Sequence, residues 1–277
     1  MKINLWGVRG SMPTFNPETI SYGGHTSCIG VEEDGCLLVL DAGSGIQNLN
    51  LNQIMDHARI DILLTHLHID HIQGLGFFKP LFDPSKEVHI WGPGTRTQSL
   101  RGRLGRYFSP PLFPVYFRNL TCQLFIHEID NSTFSIGPFS IHTEFIIHPG
   151  PTVGYRVQSP RGVLTYIPDH EPALGRGELH HDSKWLSGSA LASGADVLLH
   201  DAQYTREEYK GKVGWGHCAM EDTVQFAAMT RVKHLYLMHH DPMHTDAQLD
   251  AMYARLKENT AYDFPIEMAL EGTRIEM

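Results

Sequence analysis

An apolar run, Ile62-Leu63-Leu64-Thr65, passes without a break into His66-Leu67-His68-Ile69-Asp70-His71. That junction limits the fold more than any other feature of the chain. In an extended segment, residues two apart point the same way, so His66 and His68 can grip one metal ion together. Asp70 and His71 then turn toward a second. These imidazoles and this carboxylate are donors that zinc, manganese and iron accept. A solvated loop would have no reason to gather them where an apolar strand ends. A two-metal centre needs more ligands than one loop supplies, so other strand ends must meet this one.

Three of them carry suitable donors. His148 follows Phe145-Ile146-Ile147 and precedes Pro149-Gly150, Asp169 follows Leu164-Thr165-Tyr166-Ile167-Pro168, and His239 and His240 both follow Leu235-Tyr236-Leu237-Met238. The chain has 18 histidines, and strand-end position selects a small subset of them.

Short β-branched and leucine-rich runs recur with turns and helical stretches between them, the pattern of a layered α/β protein. Strands are expected at 37–40, 60–64, 88–91, 123–127, 141–147, 153–157, 163–167, 197–200, 235–238 and 266–270. Asp34-Gly35 should turn 29–32 back onto 37–40, and Ser159-Pro160-Arg161-Gly162 should turn 153–157 onto 163–167. One helix is expected over 246–257, with Leu249, Met252, Tyr253 and Leu256 on its apolar face and Thr245 and Gln248 as a capping box. A second should start near Ala219 and turn Val224, Ala227 and Ala228 inward. A third should follow Gly43-Ser44-Gly45 and use Ile46, Leu49 and Ile54. No stretch reads as a linker and no repeat is visible, so the 277 residues are expected to form one domain, 1–277.

The segment 92–118 departs from this alternation. Arg96, Arg101, Arg103, Arg106 and Arg118 mix there with Tyr107, Phe108, Phe113, Tyr116, Phe117 and Pro110-Pro111. It is either a surface excursion whose aromatics fold back on the core or a substrate lid whose arginines meet phosphate.

Other classes are set aside. No apolar run approaches the roughly 20 residues of a membrane helix, and Lys2-Ile3-Asn4-Leu5-Trp6-Gly7 is too short and broken for a secretory leader. Cys28, Cys36, Cys122 and Cys218 form no C-x-x-C pair, so a reducing cytoplasm is expected. A formal charge of -9 argues against broad capture of nucleic acid. The sequence contains no G-x-S-x-G elbow, P-loop, G-x-G-x-x-G or H-E-x-x-H. It leaves a homodimer open.

The order His66, His68, Asp70, His71, His148, Asp169 and His239 resembles the metallo-β-lactamase superfamily. That resemblance implies a four-layer αββα sandwich with two divalent metal ions along one edge, zinc before manganese or iron. It also implies that His66, His68 and His148 hold one ion, that Asp70, His71 and His239 hold the other, and that Asp169 bridges them. His239 is preferred to His240 because the family's last ligand directly ends its strand. Leu198-Leu199-His200-Asp201-Ala202-Gln203-Tyr204 resembles the His-Glu-Ala-Thr segment of ribonuclease Z, and Gly216-His217-Cys218-Ala219 resembles its Gly-His-Ser-Thr segment. Asp201 stands where that nuclease has glutamate, Gln203 where it has threonine, and Pro168-Asp169-His170 where it has Gly-Asp-Thr. The opening Gly7-Val8-Arg9-Gly10-Ser11 and Tyr22-Gly23-Gly24-His25-Thr26-Ser27-Cys28 resemble phosphodiesterase relatives of the nuclease.

The expected activity is therefore hydrolysis of a small anionic phosphodiester, such as a cyclic nucleotide or cyclic phosphate, by a hydroxide bridging the two ions. Asp70 helps to form the centre. His200 is the candidate for protonating the leaving group or contacting phosphate, with Asp201 orienting a neighbouring imidazole such as His217. RNA is the less favoured partner. The alternatives are a transfer-RNA 3′-processing endonuclease and a non-hydrolytic cofactor-biosynthesis or metal-binding member of the superfamily.

Overall fold

A computed structural model describes residues 1–49, 54, 56–173, 179, 182–259 and 262–277. The first sheet is built from β1 (Lys2–Gly7), β2 (Cys28–Glu33), β3 (Cys36–Leu40), β4 (Arg59–Leu63), β5 (Glu87–Pro93) and β6 (Gln123–Ile129). The second contains β7 (Ser132–Ile136), β8 (Phe139–Phe145), β9 (Val153–Ser159), β10 (Gly162–Ile167), β11 (Val197–Asp201), β12 (Leu235–Met238) and β13 (Ile266–Met268). The last strand, β14 (Arg274–Glu276), returns to the first sheet beside β1. Among the described residues each sheet has seven strands, ordered β14-β1-β2-β3-β4-β5-β6 and β13-β12-β11-β10-β9-β8-β7.

The two-residue period of β3 shows how the layers arise. Leu38 and Leu40 point between the sheets, with Tyr155, Tyr166 and Leu199 of the second sheet. Leu37 and Val39 point outward, where Leu100, Leu104 and Phe108 cover them. Among the described residues the helices are α1 (Ile69–Ile72), α2 (Leu100–Tyr107), α3 (Ser189–Ala192), α4 (Arg206–Tyr209), α5 (Met220–Met229) and α6 (Asp246–Glu258). On the far side, Val224, Phe226 and Leu249 of α5 and α6 pack on Leu198, Leu235 and Leu237. This is the expected αββα order, and burial on both faces explains why the central strands read as continuous apolar runs.

Strands β3 to β6 are parallel, as are β10 to β13, and β8 runs with β10 because both are antiparallel to β9. The loops leaving the carboxyl ends of β3, β4, β8, β10, β11 and β12 therefore meet along one edge, where open α/β sheets place their ligands.

Every run expected to be extended contains a strand. The Asp34-Gly35 hairpin holds, with both turn residues at positive φ, and so does the Thr245–Gln248 capping box of α6. Three strands go beyond the expectations. Of these, β7 and β14 carry alternating polar residues, and each is stabilised by pairing with a neighbour. The strand expected over 141–147 ends at Phe145, because Ile146 N–H donates to Thr152 O in a loop closed by Pro149-Gly150-Pro151. After Gly43 there is a 3-10 turn over Ser44–Asn48. The rest of the expected third helix, 50–53 and 55, lies outside the described residues, as do His180 and His181.

Candidate metal centre

The loop after β4 and the short α1 deliver His66, His68, Asp70 and His71, and the other strand ends meet them. Ligand atoms of His66, His68, His148 and Asp169 lie within 4.8 Å of one another, and so do those of Asp70, His71, Asp169 and His239. Asp169 stands between the two groups. Its Oδ2 is 3.7 Å from both His66 Nε2 and His148 Nε2, while its Oδ1 is 3.0 Å from His71 Nε2 and 3.2 Å from His239 Nε2. Asp70 Oδ2 is 3.3 Å from both His71 Nε2 and His239 Nε2 and accepts from Ser11 N–H at 2.9 Å.

Several rings are fixed by a second bond, which leaves the other nitrogen free to ligate. His71 Nδ1 donates to Asp41 Oδ2 at 2.8 Å. His148 Nδ1 donates to Gly216 O at 2.8 Å, and its Nε2 lies 3.1 Å from His68 Nδ1. Gly216 has φ +86, and a Cβ there would stand 2.5 Å from His148 Nδ1, so this close approach needs glycine. Likewise, a Cβ on Gly10 would stand 2.5 Å from His239 Nδ1. His239 itself has φ 63, a strained conformation for a non-glycine residue of the kind that collects at functional sites.

The electrostatics favour a cation. Burial opposes charge on His71, yet Asp169, Asp70 and Asp41 together hold its imidazole well above the ordinary value. Burial also works against His239, but Asp169 and Asp70 raise it to about 9. Burial alone would push the Asp70 and Asp169 carboxyls up. Instead the neighbouring histidines, His71 for Asp70 and His239 first for Asp169, hold them below the usual carboxylate range. Burial dominates at His66, which is pushed well down, and at His68 and His148, which are also lowered. The two carboxylates thus draw positive charge into the cluster. His66 Nε2, His71 Nε2 and Asp169 Oδ1 are buried and have no hydrogen-bond partner among the described residues. Unsatisfied donors of this type, aimed at shared points, fit divalent cations.

His217 lies beside this centre, with its ring stacked on His239 at 5.0 Å and its Nδ1 donating to Asp201 Oδ2 at 2.7 Å. Asp201 is fully buried and also accepts from the Gln203, Cys218 and His170 N–H groups. His200 does not join them, contrary to expectation. Its Nδ1 donates to Asp201 O and its Nε2 faces His170 Nδ1 at 2.9 Å, with the ring packed on Phe226. Burial holds both His170 and His200 below the ordinary value, so His200 Nε2 accepts from His170. His240 also turns away. Its Nε2 donates to Ala269 O, and burial lowers it to about 3.

Two groups here were not singled out from the sequence. Asp41, buried at the end of β3, accepts from His71, from Thr65 N–H and Oγ1, and from Tyr166 OH. It follows an apolar strand just as Asp169 does, so the same signal could have found it. Glu171, also buried, accepts from Tyr209 OH and from the Gly214 and Gly216 N–H groups. No motif marks it. Arg9, fully buried, donates to carbonyls of Thr19, Gly23, Asp241 and His244, so it ties loops together.

The fold and donor set define a metal-dependent hydrolase. The chain matches the Beta-lactamase superfamily domain over residues 38–240; it belongs to the metallo-β-lactamase superfamily, in its ribonuclease Z-like branch. It is 25% identical over 304 aligned positions to a ribonuclease Z of Thermoplasma acidophilum, with 95% of this chain and 94% of the relative covered. Two solved structures share the fold. A diphosphatase from the PhnP family superposes with a TM-score of 0.70 at 17% identity, covering 100% of this chain and 97% of that one. Zn2+-bound PqqB from Methylobacterium extorquens superposes with a TM-score of 0.68 at 19% identity, covering 100% of both chains.

Proposed function

We propose that the protein is a phosphodiesterase with two divalent metal ions, acting on a small anionic diester such as a cyclic nucleotide or cyclic phosphate. His66, His68 and His148 would hold one ion, Asp70, His71 and His239 the other, and Asp169 both. The observation that carries this reading is the placement of Asp169, each oxygen facing a different imidazole group. When bound, such a pair of ions supplies Lewis acidity and a water acidified to near neutrality. The zinc-bound relative supports zinc as the metal, and four unpaired cysteines support a cytoplasmic setting.

The chain's own residues then handle the leaving group. His217, oriented through Nδ1 by Asp201, presents its other nitrogen beside His239 and delivers a proton to the departing oxygen. His217→Ala should therefore slow hydrolysis of cyclic AMP by about 10²–10⁴-fold. It should slow bis(p-nitrophenyl) phosphate far less, because p-nitrophenolate leaves without a proton. Equal losses on the two substrates would remove His217 from that role.

Glu171 acts at a distance, through the Gly216 carbonyl that orients His148. Glu171→Gln sets an amide against the Gly214 or Gly216 N–H and should weaken metal binding by about 10–100-fold, as loss of an outer partner does elsewhere. Titration with zinc and a competing chelator reads this, and an unchanged affinity would show that the loop holds His148 without Glu171.

The second reading is a transfer-RNA 3′-processing endonuclease, favoured by the ribonuclease Z relative. Turnover of cyclic AMP, bis(p-nitrophenyl) phosphate and a precursor transfer RNA should be compared on one metal-analysed preparation. Efficient cleavage of the precursor alone reverses the ranking. No turnover of any phosphodiester after metal reconstitution favours a non-hydrolytic member of the superfamily.

A further inference from the structure

Within 92–118, Arg101 and Arg118 lie over the rings of Phe117 and Tyr116, 5.4 and 4.7 Å from the centroids. Arg103 and Arg106 behave differently. Leu100 and Leu104 bury one face of α2, which puts residues 103, 106 and 107 together on a neighbouring face. That face lines a cavity of about 370 Å³ that reaches His66 and His68. The opposite wall is the 149–151 turn following His148, and Leu67, Ile69, Ile72 and Leu112 supply apolar surface.

Glu128, which lies outside the cavity and accepts from Leu100 N–H, offsets part of the Arg103 charge and leaves that of Arg106 facing the cavity. No lining residue is acidic. Arg103 donates through Nη2 to Pro93 O, but its buried Nε has no partner among the described residues. The Arg106 side chain is exposed and makes no hydrogen bond or ion pair among them. Guanidinium groups of this kind pair with carboxylate or phosphate through two parallel hydrogen bonds. Distant surface charge is screened over roughly 8 Å, so this local excess governs what enters despite the formal -9 of the chain.

We propose that the cavity is a subsite for a second anionic group on the substrate, carried on an apolar or aromatic body adjoining the scissile phosphodiester. This rests on the phosphodiesterase reading and narrows it. Arg106 binds the anion, Arg103 stands behind it with a donor to spare, and Tyr107, Leu67, Ile69 and Leu112 cover the body.

Matched aryl p-nitrophenyl phosphodiesters test this, the second ring being 4-carboxyphenyl, 4-phosphonatophenyl or a neutral p-nitrophenyl. The metal-loaded wild type should favour one or both anionic probes by about tenfold or more in kcat/KM, the scale of a charge-assisted hydrogen bond. The two anionic probes separate carboxylate from phosphate recognition. Arg106→Ala should abolish the preference, mainly through KM. Arg96→Ala removes the same charge from outside the cavity and should keep it. A parallel binding measurement compares 4-carboxyphenylphosphonate with phenylphosphonate by calorimetry and needs no turnover. A wild type without preference in both assays, or the same loss in Arg96→Ala as in Arg106→Ala, overturns the subsite. Failure of every diester to react, with the binding preference intact, overturns the phosphodiesterase reading and leaves the subsite standing.

Discussion

Asp70→Asn and His66→Ala are each expected to lower kcat/KM for bis(p-nitrophenyl) phosphate by at least about 10³-fold, since a bound metal contributes several kcal/mol of transition-state stabilisation. The fold should persist in both. Asp70→Asn keeps the volume and leaves an oxygen to accept the Ser11 N–H seen in the wild type. It removes the negative charge facing His71 and His239, so its effect isolates electrostatics from packing. His66→Ala removes a ring whose Nε2 has no hydrogen-bond partner among the described residues, so little folding energy depends on that atom. Metal content and thermal melting should be recorded with the rates. Undiminished turnover in both variants would sink the metal-centre reading. A lost rate with full metal occupancy would instead limit these residues to orienting the substrate.

The density of donors after Ile62-Leu63-Leu64-Thr65 was legible because a strand end is both a geometric landmark and a chemical one. The same rule found His148 and Asp169. It failed at His200 for a reason of parity. In β11, Leu199 points between the sheets and Leu198 toward the helices, so His200 follows Leu198 outward to Phe226 and Asp201 follows Leu199 to the centre. Counting the alternation from Leu198 would have separated the two residues. At β12 no count could decide, because the positive φ of His239 breaks the alternation before His240 is reached. Glu171 was illegible for another reason. Its importance lies in holding the loop whose Gly216 carbonyl is brought to His148 from 68 positions along the chain, and no local pattern encodes that meeting. The excursion 92–118 proved divisible, with its aromatics Phe108, Phe113 and Phe117 in the outer core and two of its arginines at a cavity wall.

Asp41 is where fold and site depend on the same atoms. Its carboxylate is fully buried and gathers donors from the loop after β4, from α1 and from β10 at one point. Asp41→Ala leaves the Thr65 N–H, the Tyr166 hydroxyl and the His71 ring without an acceptor and should cost about 3–5 kcal/mol, as breaking a buried charged network does. Melting should fall by roughly 10 °C. Asp41→Asn separates stability from chemistry. The amide retains one oxygen for Thr65, so the loss of stability should be smaller, about 1–2 kcal/mol. Where the amide nitrogen faces His71, it can no longer accept from Nδ1–H. The ring is then driven to the other tautomer, which places a proton on the Nε2 that faces Asp169 and Asp70. A protonated nitrogen cannot ligate, so Asp41→Asn should bind zinc about 10–100-fold more weakly while melting close to the wild type in the metal-free state. Wild-type zinc affinity in Asp41→Asn would show that the tautomer of His71 is set by the centre itself, and Asp41 would then serve only to join the two sheets.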